Sequence, residues 1–121
     1  MRAFRKERAP VWWPVQVVEA ADHGETETYE FEARIRPLST DQVNQLSAGS
    51  RPDPVGLLLE HVVDWSGPHD PDTGAAIPFS RETLEQYLGQ SIPLLHALER
   101  ALQEVSTGGG AAKNSKTSRA G

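Results

Sequence analysis

The sequence predicts an α+β domain, an antiparallel β-hairpin or small sheet packed against three to four short helices, and three observations predict it. Tyr29, Phe31, Ala33 and Ile35 alternate with Glu30, Glu32, Arg34 and Arg36, the period of a strand with one buried and one wet face. Val55, Leu58, Leu59 and Val62 recur at the spacing of one helix face. Leu94, Leu98, Ala101 and Val105 form a second helical stripe, flanked by Leu95 and Leu102, so the last helix carries a wide apolar face.

Taken in order, residues 1–9 read as a charged, flexible basic arm. Val11 to Glu19 is β-rich, and Pro14 inside it predicts an edge strand or one that begins at Val15. Ala20 to Glu25 supplies the turn into the alternating strand, and a hairpin alone is marginal in water, so it requires a helical layer or a neighbouring subunit. Pro37 stops the strand. Ser39 with Gln42 three residues on is a capping box, and Leu38 with Val43 has the spacing of a hydrophobic staple. The helix they open is short, broken after Leu46 by Ser47 to Pro52. Asp53-Pro54 restarts a helix, Asp as cap and Pro at the first helical position, and this helix is expected to run to about Trp65. Ser66-Gly67-Pro68 ends it, and Asp70-Pro71-Asp72-Thr73-Gly74 reverses the chain. Ile77 and Phe79 then return apolar surface towards the helix before the turn. Ser80 caps the next helix with Glu82 in its first turn, Leu84, Tyr87 and Leu88 share a face until Gly89, and Ser91 recaps with Pro93 in the tolerated first turn. The folded domain is thus expected over 10–105. Residues 106–121, rich in Gly, Lys and Ser, have nothing to bury and read as a disordered tail.

The totals narrow the function. A chain of 121 residues makes one domain with a modest core, and its mean hydropathy of −0.51 places that core in the middle of the sequence. Zero cysteines exclude disulfides and thiolate zinc sites, and fit a reducing cytoplasm. No apolar run approaches roughly 18 residues, and the basic N-terminus lacks the apolar region of a signal peptide, so the protein is expected to stay where it is made. Net charge is −5, unevenly spread: residues 1–8 hold four bases and one acid, 106–121 three bases and no acid, and 9–105 five bases against sixteen acids. An acidic body repels nucleic acid and favours solubility; the basic ends read as solvated tails.

Catalytic and cofactor chemistry is not indicated. Counted from Asp70 as the first position, an EF-hand loop would need Gly at the sixth and a carboxylate at the twelfth, where Ala75 and Arg81 stand, so the acidic stretch reads as a turn. His23, His61, His69 and His96 lack zinc-type spacing. Gly108-Gly109-Gly110 follows a helix instead of opening one, and is no phosphate loop. No nucleophile elbow or cysteine nucleophile is present. No catalytic residue, cofactor or metal site is therefore expected. What remains is apolar surface. Trp65 reads as core. Trp12 and Trp13 are adjacent and point to opposite faces of a strand, so one of them is a candidate for partner contact. The stripe of Leu94, Leu98, Leu102 and Val105 is a second candidate, with the domain's own core as its competing use.

Several segments in order carry a resemblance: Trp13-Pro14-Val15; Tyr29 to Leu38 with its aromatic alternation; Val63-Asp64-Trp65-Ser66-Gly67; the acidic Gly turn; Ile77-Pro78-Phe79-Ser80 with Leu84; and an Ala-containing last helix followed by Ala112-Lys113-Asn114. Together they resemble the tail assembly chaperones of long-tailed bacteriophages. The resemblance implies a soluble, non-enzymatic helper in the cytoplasm of the bacterial host. Such a helper coats the tape measure protein, keeps it from aggregating and brings tail tube subunits to polymerise round it, in part through a longer frameshifted form. The partners it implies are the tape measure protein and the major tail tube protein, with homo-oligomers an open question and neither membrane nor nucleic acid involved. A structural tail or head-to-tail connector subunit is the first alternative, and a small metal-dependent regulator or enzyme the second.

Overall fold

A computed structural model of the chain describes residues 9–47 and 53–108. The expectations for the basic arm before Ala9, for the break at 48–52 and for the tail from 109 onwards lie outside the described residues. The strand periods are realised as β1 (Val11–Ala20) and β2 (Thr26–Ile35), an antiparallel hairpin with Val11 opposite Ile35 and Ala20 opposite Thr26. A 3-10 turn at Asp22–Gly24 joins them. His23 (φ 63°) and Gly24 (φ 76°) both adopt left-handed conformations there, and Ala21 N–H donates to the Glu25 carbonyl at 2.8 Å. β1 is an edge strand, which is where Pro14, lacking an N–H, is tolerated.

α1 (Thr40–Ser47) begins with the reciprocal capping box: Gln42 N–H donates to Ser39 Oγ at 3.2 Å and Ser39 N–H to Gln42 Oε1 at 2.9 Å. α2 (Pro54–His61) follows Asp53, whose Oδ1 accepts the Val55 N–H. This helix does not reach Trp65 as its apolar spacing suggests. It stops at His61, and Val62–Ser66 forms β3, which pairs antiparallel with the free side of β2. Ala33 lies opposite Trp65, Arg34 opposite Asp64 and Ile35 opposite Val62, with a register shift that leaves Val63 as an extra, bulged residue. Two effects outweigh the helical period. Val62 and Val63 are β-branched and suit a pleated surface, and β2 would otherwise leave a row of backbone groups unpaired. The junction is pinned from both sides: Arg36 N–H donates to the His61 carbonyl at 2.8 Å, and Nδ1 of the buried His61 lies 2.7 Å from the Arg36 carbonyl. Since a carbonyl only accepts, Nδ1 carries the hydrogen.

α3 (Arg81–Gln90) and α4 (Ile92–Ser106) share Ser91, whose N–H donates to the Tyr87 carbonyl while its Oγ accepts the Leu94 N–H at 3.2 Å. α3 thus passes one residue beyond Gly89. α4 packs along β1, and its stripe is consumed internally: Leu94, Leu98, Leu102 and Val105 are all buried, with Ala97 and Ala101 between them. Ser106 belongs to α4 and not to a tail. Its hydroxyl donates to the Leu102 carbonyl at 2.6 Å and accepts the Leu38 N–H at 2.8 Å, tying the end of α4 to the start of α1. The core so formed joins Val15, Val17, Phe31, Ala33 and Ile35 of the sheet to Leu58, Leu84, Leu88 and the α4 stripe.

Candidate functional site: an apolar groove beside Trp65

Trp65 is the hinge between sheet, loop and helices. From β3 its ring meets Phe31 edge-on (centroids 6.5 Å apart, 82°) and Phe79 edge-on (5.2 Å, 89°), and it stacks on Tyr87 (6.0 Å, 17°). Its indole Nε1–H donates to the Ile77 carbonyl at 2.7 Å, so the polar atom of a buried ring is satisfied and the loop is drawn onto the sheet. Asp64 Oδ1 accepts the Trp65 backbone N–H at 2.8 Å, which withholds that donor from a further strand.

The loop after Trp65 is locally closed. Gly67 turns with φ 121°, and a Cβ there would stand 2.9 Å from Phe31 Cβ, so the chain can pass over Phe31 only as glycine. Ile77 N–H donates to the Pro68 carbonyl, His69 bridges to Ala76, and Asp70 N–H donates to the Ala75 carbonyl. Asp70 Oδ1 accepts the Asp72 N–H at 2.8 Å, the Asx-turn chemistry of the acidic stretch. Among the described residues no three His, Asp or Glu side chains are grouped so as to hold a metal ion. No helix among them is long and apolar enough to cross a membrane.

Between this loop, the hairpin tip and the α3–α4 junction lies an open groove of about 460 Å³, most of its lining apolar. Tyr29 and Phe31 of the sheet, Pro68 and Ile77 of the loop, and Trp65, Tyr87 and Leu94 line it, together with the carboxylate-bearing Glu19. Tyr29 occupies an inward-facing strand position yet is 44% exposed, because no helix covers the sheet there. Its hydroxyl is held above the ordinary tyrosine range, first by burial of part of the ring and then by the nearby Glu19 carboxylate.

The structure separates the residues singled out from the sequence. Trp12 is 43% exposed on the outer face of β1, opposite Arg34, and remains available to a partner. Trp13 is half-buried on the inner face, where its Nε1–H donates to Glu104 Oε1 at 2.8 Å. Leu98, Leu102 and Val105 are sealed in the core and offer no contact surface, whereas Leu94, also buried, touches the groove from beneath. No spacing in the sequence marks the groove. Tyr29 carried the available signal, a large aromatic at the end of an inward-facing run close to the turn, but nothing local says where the helical layer stops. No family model, curated protein or solved structure matches the chain.

Proposed function

We propose that the chain is a tail assembly chaperone of the long-tailed bacteriophage kind, acting in the bacterial host cytoplasm without bond-making chemistry. It would hold an apolar-striped helical segment of a tape measure protein in the groove beside Trp65 and keep that protein soluble while tail tube subunits assemble round it. The observation that supports this best is the groove: a pre-shaped apolar site on a body with sixteen acids against five bases over residues 9–105. An amphipathic helix lays its apolar face into such a site, and the acidic exterior then faces water in place of the client's exposed stripe. The order of segments from Trp13 to the last helix is the other support. Trp12, exposed on the opposite face of the sheet, is proposed as a separate contact, with the tail tube protein as its candidate partner.

The test is co-expression with the product of a long, helix-coding open reading frame adjacent to this gene. The expected result is transfer of that product from inclusion bodies to the soluble fraction, in a complex that co-elutes with this chain. An unchanged insoluble fraction overturns the proposal. Recovery of the chain in stoichiometric amounts from purified particles replaces it with the structural tail subunit.

A further inference from the structure

We infer that the occupant of the groove is selected by charge as well as apolar surface: an amphipathic helix whose apolar stripe is flanked by Lys or Arg, the basic flank lying against Glu19. This deepens the proposed function and rests on the groove being the client site. The walls explain the apolar half. Tyr29, Phe31, Trp65 and Ile77 line the groove with aromatic and aliphatic side chains, a surface into which an amphipathic helix can insert the side chains of its apolar face. Glu19 explains the basic half. Glu19 and Tyr29 line the same groove from the inner faces of neighbouring strands, so a carboxylate and an exposed aromatic ring stand close together, the pairing that receives a guanidinium or ammonium group.

The charge distribution argues against a second copy of the folded body as occupant. Residues 9–105 carry five bases against sixteen acids, so two such bodies repel, while a basic client is drawn in. Residues 109–121 carry bases but no apolar side chain larger than Ala, and cannot fill an aromatic-walled site. Residues 1–8 hold Phe4 among four bases and are the competing occupant within this chain.

Two synthetic amphipathic helices separate these cases, with identical Leu stripes at i, i+3, i+4 and i+7 and either Lys or Glu at the flanking positions. Binding of each labelled peptide to the full chain is read by fluorescence anisotropy. The Lys peptide is expected to bind about fivefold or more tightly than the Glu peptide at low salt, since each exposed ion pair contributes only modestly, and the margin narrows as salt is raised. The variant Glu19→Lys abolishes the preference. Glu19 is half-buried at the open end of the inner face, and an unchanged melting temperature shows that the fold persists. Tyr29→Thr weakens both peptides and locates them in the groove. Binding that is charge-blind but still lost in Tyr29→Thr overturns the inference and leaves the proposed function standing. Peptide binding unaffected by Tyr29→Thr overturns it by placing the site elsewhere. If removal of residues 1–8 tightens both peptides equally and abolishes the charge preference, the arm is the occupant and the inference fails.

Discussion

The inner face of the sheet has two ends made from the same alternating pattern, and they differ in what covers them. Near Val15 and Ile35 the face is sealed by the helical layer, with Val15, Ile35 and Leu98 almost wholly removed from water. Towards the hairpin tip the same face continues through Tyr29, 44% exposed, into the open groove. An inward-facing strand position is therefore not the same as a core position. Burial is set by the length and placement of the opposing layer, and the sheet is longer than the helices that cover it.

The largest expected effect breaks the sealed end and leaves the open end as its control. Leu98→Ala should cost about 2–5 kcal/mol, because a fully enclosed side chain is replaced by a cavity. Tyr29→Thr, which keeps a β-branched residue at the open end, should stay within about 1 kcal/mol. Urea denaturation of the two variants measures both, and equal losses would mean that the two ends are packed alike. Gly67→Ala comes next, on the boundary between them. The new methyl group meets Phe31 Cβ at 2.9 Å and the backbone holds φ 121°, so a loss of about 1–3 kcal/mol is expected from the backbone strain, together with weaker peptide binding in the groove. The smallest effect sharpens the comparison by pH. With its folded pKa raised above the ordinary 10.0, Tyr29 holds its proton more tightly in the folded than in the unfolded chain. Its contribution is therefore fully present below that ordinary value and is lost as pH rises through it towards the folded pKa. Thermal melts on the alkaline side should fall less steeply in Tyr29→Phe than in the parent, and parallel limbs would remove Glu19 and burial as influences on this phenol.

Much of the fold was legible because its signals are short-range. The alternation from Tyr29 to Ile35, the Ser39–Gln42 capping box, the Asp53-Pro54 start, and the Ser80 and Ser91 caps each lie within a few residues, and each is found where its chemistry places it. Trp65 as core was readable too, from its position closing an apolar run. The boundary at His61 was not. Val62 continues the helical spacing of Val55, Leu58 and Leu59, and its β-branching is a weak opposing signal, so local reading favours helix. What decides is the unpaired side of β2, some thirty residues earlier in the chain. The groove was hidden for a related reason. Tyr29, Pro68, Ile77, Tyr87 and Leu94 come from a strand, a loop and two helices, and no spacing along the chain connects them. The stripe on α4, legible as apolar, could have served as core or as interface until the sheet was seen to take it.

By itself the sequence determined the hairpin, the helix starts and the acidic turn, because alternation, capping and Asx chemistry act between neighbours and need no distant partner. Only the tertiary structure decided that residues 62–66 form a third strand, that α4 spends its apolar face on the sheet, and that the tip of that sheet stays open beside Trp65. These depend on pairing and coverage between segments far apart in the chain, where the free energy of burying a shared surface outweighs the preference of either segment alone.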